Sequence, residues 1–170
     1  MPRKKEPLYV VRNSAIHGRG VFAARTIRKG TCIVEYTGER IDNDEADKRY
    51  DEANMKRHHT FLFTLNKNTV VDGSPRTGGG DASFINHSCA PNCEALIGGG
   101  KIHIYALQTI YPGTELVYDY QYELTKDPAD RKFYACRCGA DTCRGTIMKG
   151  VKPKRPKARK PLKRRRRTAR

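Results

Sequence analysis

The chain predicts a β-rich α+β body closed by a metal-binding loop near its C-terminal end, and three observations predict it. Short runs of β-branched and aromatic residues recur between Gly-rich turns. Only one stretch, residues 42–56, carries a helix start signal, and strands do not alternate with the long helices that a parallel sheet requires. Four cysteines are spaced to share one ion: Cys136 and Cys138 are one residue apart, Cys143 follows five later, and the distant Cys89 completes the set. With 170 residues the chain fits one domain with a real core.

The start, MPRKKEPLYV, is basic and lacks the apolar stretch of a secretory signal, and no run reaches the length of a membrane span. A soluble, monomeric protein in a reducing compartment is expected. TCIVEYTG alternates from Thr31 and reads as a strand, with Cys32 as a small core residue; Cys93 has no assigned role. The helix over 42–56 would be opened by Asp42 as cap, with Glu45 three residues on and acids in its first turn. HTFLFTLN, KIHIYAL and TELVYDY supply further strands. In the last, period-two alternation puts Leu116, Tyr118 and Tyr120 on one face, so two phenols point toward one pocket. Paired phenols can hydrogen bond an amine and wall it from water, although paired strand tyrosines also serve plain core packing.

Four thiolates fit tetrahedral zinc and leave no open position for water, so the ion is structural. It would tie the C-terminal segment to the middle of the chain and contribute directly to folding. Buried or disulfide-bonded cysteines are the alternative reading.

Charge is distributed unevenly. Of the net +16, residues 151–170 contribute +12 and the preceding 150 residues only +4. The segment VKPKRPKARKPLKRRRRTAR has no aromatic residue and one Leu, so it cannot bury enough apolar surface to order itself when free. Such a density of cations binds nucleic acid through phosphate charge, without reading sequence and without base stacking. An import signal, or a polycation that docks on an acidic protein, has the same sequence signature.

Three segments taken in order, HGRGVFAARTIRKGTCIVEYTGERI, FINHSCAPNC, and YDY followed by CRCGADTCRGTIM, resemble SET-domain protein lysine methyltransferases with a cysteine-rich post-SET segment. The resemblance spans about residues 8–148. It implies several small β-sheets around a pseudoknot, in which the segment ending in YDY passes beneath a loop next to NHSC. It divides the chain into a basic extension (1–7), a SET domain (8–123), a post-SET zinc segment (124–148) and a basic tail (149–170).

The resemblance further implies methyl transfer from S-adenosylmethionine to a protein lysine, with a histone or another basic chromatin or nucleoid protein as substrate. Tyr120 corresponds to the catalytic tyrosine that holds amine and methyl group in line. Tyr36 lines the lysine channel, where an aromatic wall attracts an ammonium. Tyr118 stands where the family carries Tyr or Phe; a tyrosine keeps a hydroxyl and water in the pocket and favours mono- or dimethylation. His17, Gly18, Arg19, Gly20, Phe61, Asn86 and His87 match cofactor-binding positions. In two places the chain departs from the family pattern: Phe61 replaces a usual Tyr, and GGGDAS puts Ser83 where an Arg commonly lies.

A catalytically silent SET-fold binding module, a nonspecific nucleic-acid-binding zinc protein, and an enzyme for a small amine are the competing readings. The expected location is the nucleus and chromatin in a eukaryote or a host cell, and the cytoplasm or nucleoid otherwise.

Overall fold

The computed structural model of the chain describes residues 6–51, 59–124, 127 and 130–153. Most of the basic extension, residues 52–56 of the expected helix and residues 154–170 of the tail lie outside the described residues.

Ten strands form three small sheets. In the first, β1 (Tyr9–Asn13) and β2 (Arg19–Ala23) make a hairpin, β10 (Glu115–Tyr118) adds antiparallel to β2, and β7 (Asn86–His87) adds parallel to β10. The second is β3 (Cys32–Glu35), β9 (Lys101–Ala106) and β8 (Cys93–Gly98), and the third is β4 (Glu39–Ile41), β6 (Thr69–Asp72) and β5 (Leu62–Asn66). Two short α-helices, α1 (Asn43–Arg49) and α2 (Asp130–Phe133), and two 3-10 turns, Pro75–Thr77 and Asp81–Phe84, complete the described elements.

Local chemistry explains the connections. The β8–β9 turn uses Gly99 and Gly100, both at positive φ, as a tight hairpin requires. At the β1–β2 turn Gly18 takes φ +47°, and the Ser14 N–H donates to the Gly18 carbonyl at 2.8 Å. The expected cap is present: Asp42 Oδ1 accepts from the Glu45 N–H at 2.8 Å.

The helix itself is shorter than 42–56 and ends at Arg49. It buries only Ala46, so packing does little to extend it. Its end is fixed by Asp72, 2% exposed, which accepts from the Tyr50 hydroxyl at 2.7 Å and from Arg49 at 3.2 Å. Arg49 also pairs with Glu39 and Glu45, both at 2.7 Å.

The core gathers Val21, Ile27, Ile85, Ile104 and Leu116, with Tyr36 and Tyr118 at its margin. β10 is central in its sheet, and Leu116, Val117 and Tyr118 are all buried. It therefore reads as a continuous apolar run covered on both faces. Cys32 corrects the sequence reading. It opens the edge strand β3 and is exposed, whereas Cys93 on β8 is 1% exposed and fills the core.

Candidate active site and metal centre

Pairing of β10 with β7 places the two motifs richest in polar side chains side by side, with Val117 opposite Asn86 and Tyr118 opposite His87. Asn92 secures the junction: its Oδ1 accepts from the Val117 N–H at 2.9 Å, and its Nδ2 donates to the Glu115 carbonyl at 2.8 Å. The Ser88 N–H donates to the Tyr118 carbonyl at 3.1 Å. NHSC thus lies against the strand that ends in YDY, as the expected threading demands.

Tyr120 lies just past the end of β10. Its hydroxyl donates to the Ile85 carbonyl at 2.8 Å, and its N–H donates to His87 Nδ1 at 3.1 Å. With its one proton committed, the phenol oxygen has lone pairs left to accept from a ligand. Burial pushes its pKa well above the usual phenol range, with the neighbouring Tyr122 adding to the rise, so it stays neutral.

Behind Tyr120 stands a column of rings: Tyr118 at 4.9 Å, then Phe63 at 6.2 Å from Tyr118, then Tyr36 at 5.3 Å from Phe63. Tyr36 is locked by its hydroxyl, which donates to the Phe61 carbonyl at 2.6 Å. Its ring also lies against Gly73, where an added Cβ would come within 2.6 Å of the Tyr36 oxygen. Burial raises the pKa of Tyr118 and Tyr36 as well.

A cleft of about 330 Å³ opens in front of Tyr120. His17, Gly18, Arg19, Phe61, Asn86 and His87 line it, so six of the seven expected cofactor residues converge. Gly20 does not. It is glycine because β2 packs on Glu115, whose Oε1 an added Cβ would strike. Tyr118 and Tyr36 are not among the lining residues either; they back the cleft through the ring column.

Asn86 holds the β1–β2 turn in place, its Nδ2 donating to the carbonyls of His17 at 3.3 Å and Arg19 at 3.0 Å and to Glu115 Oε1 at 2.8 Å. Ser83 turns its hydroxyl to the Gly80 carbonyl at 2.8 Å. The guanidinium at this end of the cleft is instead Arg19, 4.2 Å above the Phe84 ring.

Sequence reasoning missed Phe84, Tyr122, Tyr134 and Phe133, which give the cleft most of its aromatic wall. Tyr122 continues the two-residue spacing of Tyr118 and Tyr120, a signal that could have found it. Tyr134 packs against Tyr122, tilted with centroids 5.7 Å apart, only because the C-terminal segment folds back, through a bridge between Tyr122 and Met148.

The four expected cysteines converge. The sulfurs of Cys89, Cys136, Cys138 and Cys143 lie within 4.8 Å of one another, and those of Cys89 and Cys136 are 3.7 Å apart. Zinc with four thiolates at about 2.3 Å has a tetrahedral edge of about 3.8 Å, so this donor set fits the ion. Backbone N–H groups already point at the sulfurs: Arg144 to Cys89 at 3.4 Å, Cys138 to Cys136 at 3.3 Å and Gly145 to Cys143 at 3.3 Å.

Two links join this cluster to Tyr120. His87 accepts the Tyr120 N–H at Nδ1, so its other nitrogen, 3.4 Å from the Cys89 sulfur, carries the proton. Arg144 grips Asp119. The burial of His87, with the Arg144 charge, pulls its pKa down to about 4 despite Asp119, which keeps the ring neutral near pH 7.

Among the described residues, no helix is long and apolar enough to cross a membrane. Comparison with known proteins gives a consistent result. A family model of the SET domain matches residues 18–121. The chain is 40% identical over 153 residues to "Histone-lysine N-methyltransferase, H3 lysine-4 specific" of Aspergillus oryzae, covering 86% of this chain and 12% of that protein. It is 41% identical over 152 residues to the protein of the same name from Saccharomyces cerevisiae, covering 85% and 13%. The chain thus spans about an eighth of the length of the curated relatives it matches. The match runs from the β1–β2 turn through the tyrosine turn, and on it, with the clustered cysteines behind, the chain belongs to the SET domain family.

Proposed function

We propose that this chain is a protein-lysine N-methyltransferase that uses S-adenosylmethionine, with residues 8–123 as the catalytic body and 124–148 as a zinc-stapled closure. The observation that carries this reading is the placement of Tyr120. Its oxygen, with free lone pairs, lies where an aromatic cleft meets the column of Tyr118, Phe63 and Tyr36.

The cleft fits the donor in size and chemistry: flat aromatic surfaces, backbone left bare at Gly18, and a guanidinium at Arg19. His17, Gly18, Arg19, Phe61, Asn86 and His87 would hold it. When bound, it supplies an electrophilic methyl group on a sulfonium.

The residues of the chain then do three things. Tyr120 accepts from the reacting groups and fixes the line of attack, a contribution of positioning and electrostatics. Its raised pKa keeps it a neutral phenol with no phenolate to serve as base, so the amine proton leaves to solvent. Tyr36 and Phe63 wall the amine from bulk water and attract its cationic form before it deprotonates. Tyr118 limits the space for added methyl groups and favours mono- or dimethyl product.

The relatives are named as specific for lysine 4 of histone H3. A histone H3 tail or a similarly basic chromatin protein is accordingly the proposed substrate, and chromatin the proposed place of action in a eukaryotic cell. The basic segment 151–170 would hold the enzyme on nucleic acid.

Incubation with radiolabelled S-adenosylmethionine and mixed core histones tests the reading. Label on histone lysines, cut by about a hundredfold with Tyr120→Phe, is the expected result. Histones left unlabelled while a free amino acid or small amine is methylated would reassign the chain to small-molecule chemistry.

A further inference from the structure

Asp72 is the one buried carboxylate among the described residues, and it takes no part in the steps assigned to Tyr120, Tyr118 and Tyr36. It ends β6 after Val70 and Val71, both buried, where an apolar residue would be the ordinary choice. A charge taken out of water persists only where donors replace the lost hydration. Three do so here. The Tyr50 hydroxyl donates to Oδ1 at 2.7 Å, the Ser74 N–H donates to the same oxygen at 3.0 Å, and Arg49 donates to Oδ2 at 3.2 Å. Arg49 is the last residue of α1 and Tyr50 is its C-terminal cap, so two of the three donors come from the end of that helix.

The next residue, Gly73, supports Tyr36. The Gly73 N–H donates to the Phe61 carbonyl at 2.8 Å, and the Tyr36 hydroxyl donates to that same carbonyl at 2.6 Å. The Tyr36 ring occupies the space that a side chain on Gly73 would take. Two further glycines allow close approach: a Cβ on Gly38, two residues past Tyr36, would strike the Asp72 carbonyl, and one on Gly79 would strike the Gly73 carbonyl. The Asp72 carbonyl also accepts from the Thr77 hydroxyl at 3.0 Å. The backbone at Asp72 and Gly73 is therefore hemmed in by Tyr36, Gly38 and Gly79, and a shift of Asp72 is passed to Tyr36.

The two side chains also interact through charge. After burial and the neighbouring phenols, the Asp72 carboxylate adds to the rise in the Tyr36 pKa, which keeps the Tyr36 hydroxyl protonated as a donor to Phe61. The donor side of Phe61 has supports of its own. Its ring, which lines the cleft, packs edge-on against His59 at 5.3 Å and Phe84 at 6.2 Å.

We propose that Asp72 is a positioning residue for the substrate lysine, acting through Tyr36, and that Arg49 and Tyr50 fix its geometry from the end of α1. The contacts run from α1 to the buried carboxylate, on to Gly73, and from Gly73 to the ring and hydroxyl of Tyr36. A misplacement of about 1 Å in a group that orients a substrate can cost on the order of a hundredfold in rate. A buried carboxylate in this place makes the wall of the lysine channel depend on the seating of α1. The inference rests on the lysine methyltransferase reading and on the placing of Tyr36 in that channel.

The full chain and its variants are assayed with S-adenosylmethionine and a peptide of the histone H3 N-terminus, and donor affinity is read by calorimetry with S-adenosylhomocysteine. Asp72→Asn keeps the size of the side chain but removes its charge and turns one acceptor into a donor. It should lower kcat/KM for the peptide by about tenfold or more while S-adenosylhomocysteine affinity stays within about twofold. Tyr50→Phe keeps the ring and removes one of the three donors, and should lower kcat/KM by about fivefold. In Tyr36→Phe the ring has already lost its tether to the Phe61 carbonyl, so adding Asp72→Asn should cost less than about twofold more. Ala46→Gly weakens α1 without touching Asp72 and should change kcat/KM by less than about twofold, which separates positioning from loss of stability. If Asp72→Asn does not fold, Tyr50→Phe in the wild-type and Tyr36→Phe backgrounds makes the same comparison. Full peptide activity in Asp72→Asn and Tyr50→Phe overturns the proposal. So does donor affinity that falls in step with activity, a loss that persists undiminished in Tyr36→Phe, or an equal loss in Ala46→Gly. A wild-type chain that binds S-adenosylhomocysteine but methylates neither the peptide nor core histones removes the methyltransferase reading, and the proposal with it.

Discussion

Arg144 grips Asp119 through two parallel contacts, each 2.7 Å, and so fastens the cysteine loop to the turn that carries Tyr120. The fork of a guanidinium matches both carboxylate oxygens, and neither side chain is more than one-fifth exposed. Burial works against the Asp119 carboxylate, but hydrogen bonds and charge from Arg144 outweigh it and hold its pKa below the ordinary value of 3.8.

Arg144→Ala or Asp119→Asn should therefore loosen residues 134–148 first. Charged hydrogen bonds of this kind are worth about 2 kcal/mol, so amide exchange in that segment should quicken roughly thirtyfold with the β8–β9 hairpin unchanged. Arg144→Lys should rescue only in part, since an ammonium cannot form the fork. Because the Asp119 pKa is lowered on folding, the clamp contributes fully at neutral pH and is lost as pH falls below 3.8 and on through the still lower folded value. Exchange in residues 134–148 that is untouched by these variants would show the clamp to be idle.

The cysteine cluster predicts a second coupling. The purified chain should carry one equivalent of zinc, and strong chelation should raise exchange in residues 134–148 before the core opens. Because His87 stands between Cys89 and the Tyr120 N–H, the tyrosine turn should loosen with it. A metal-free chain with this segment well protected would remove zinc from the account.

The cysteine cluster and the tyrosine turn were legible in sequence because both depend on short spacings: C-x-C with a third cysteine, and YDY after an apolar run. The α1 cap was legible for the same local reason, whereas the helix end was set by Asp72, which is 23 residues from Arg49. Cys32 was misread because an apolar run does not reveal which strand is an edge. Phe84 and Tyr134 escaped because they come together only when the chain folds back on the cleft. Gly20, expected at the cofactor, does not line the cleft, and a Cβ there would meet the Glu115 carboxylate and the Ser14 Cβ.

The basic segment makes a separate prediction. Deleting residues 151–170 removes +12 of charge, so affinity for nonspecific DNA or RNA and its salt dependence should both drop sharply. Methylation of a short histone peptide should persist. Unchanged nucleic-acid binding would place the basic surface on the body.

If the Tyr120 hydroxyl acts on the reacting groups, as proposed, Tyr120→Phe should lower kcat by a factor of order 100 with little change in donor binding. With the phenol held neutral, the rate of the wild type should climb with pH as the substrate amine, with an ordinary pKa near 10.4, loses its proton. A kinetic break near neutrality that disappears in Tyr120→Phe would instead make this tyrosine the base.

Tyr118 gives the sharpest test of the pocket. It is 8% exposed and wedged between Phe63 and Tyr120, so its hydroxyl occupies space that nothing nearby can easily vacate. The wild type should accumulate mono- or dimethyl lysine and stop. Tyr118→Phe keeps the ring and its stacking and removes only the hydroxyl and the water it orders, so activity should survive while product moves toward higher methylation. Intact-mass analysis of a peptide with a single lysine, followed over a long time course, reads both outcomes. Abundant trimethyl product from the wild type would mean that Tyr118 does not set the limit.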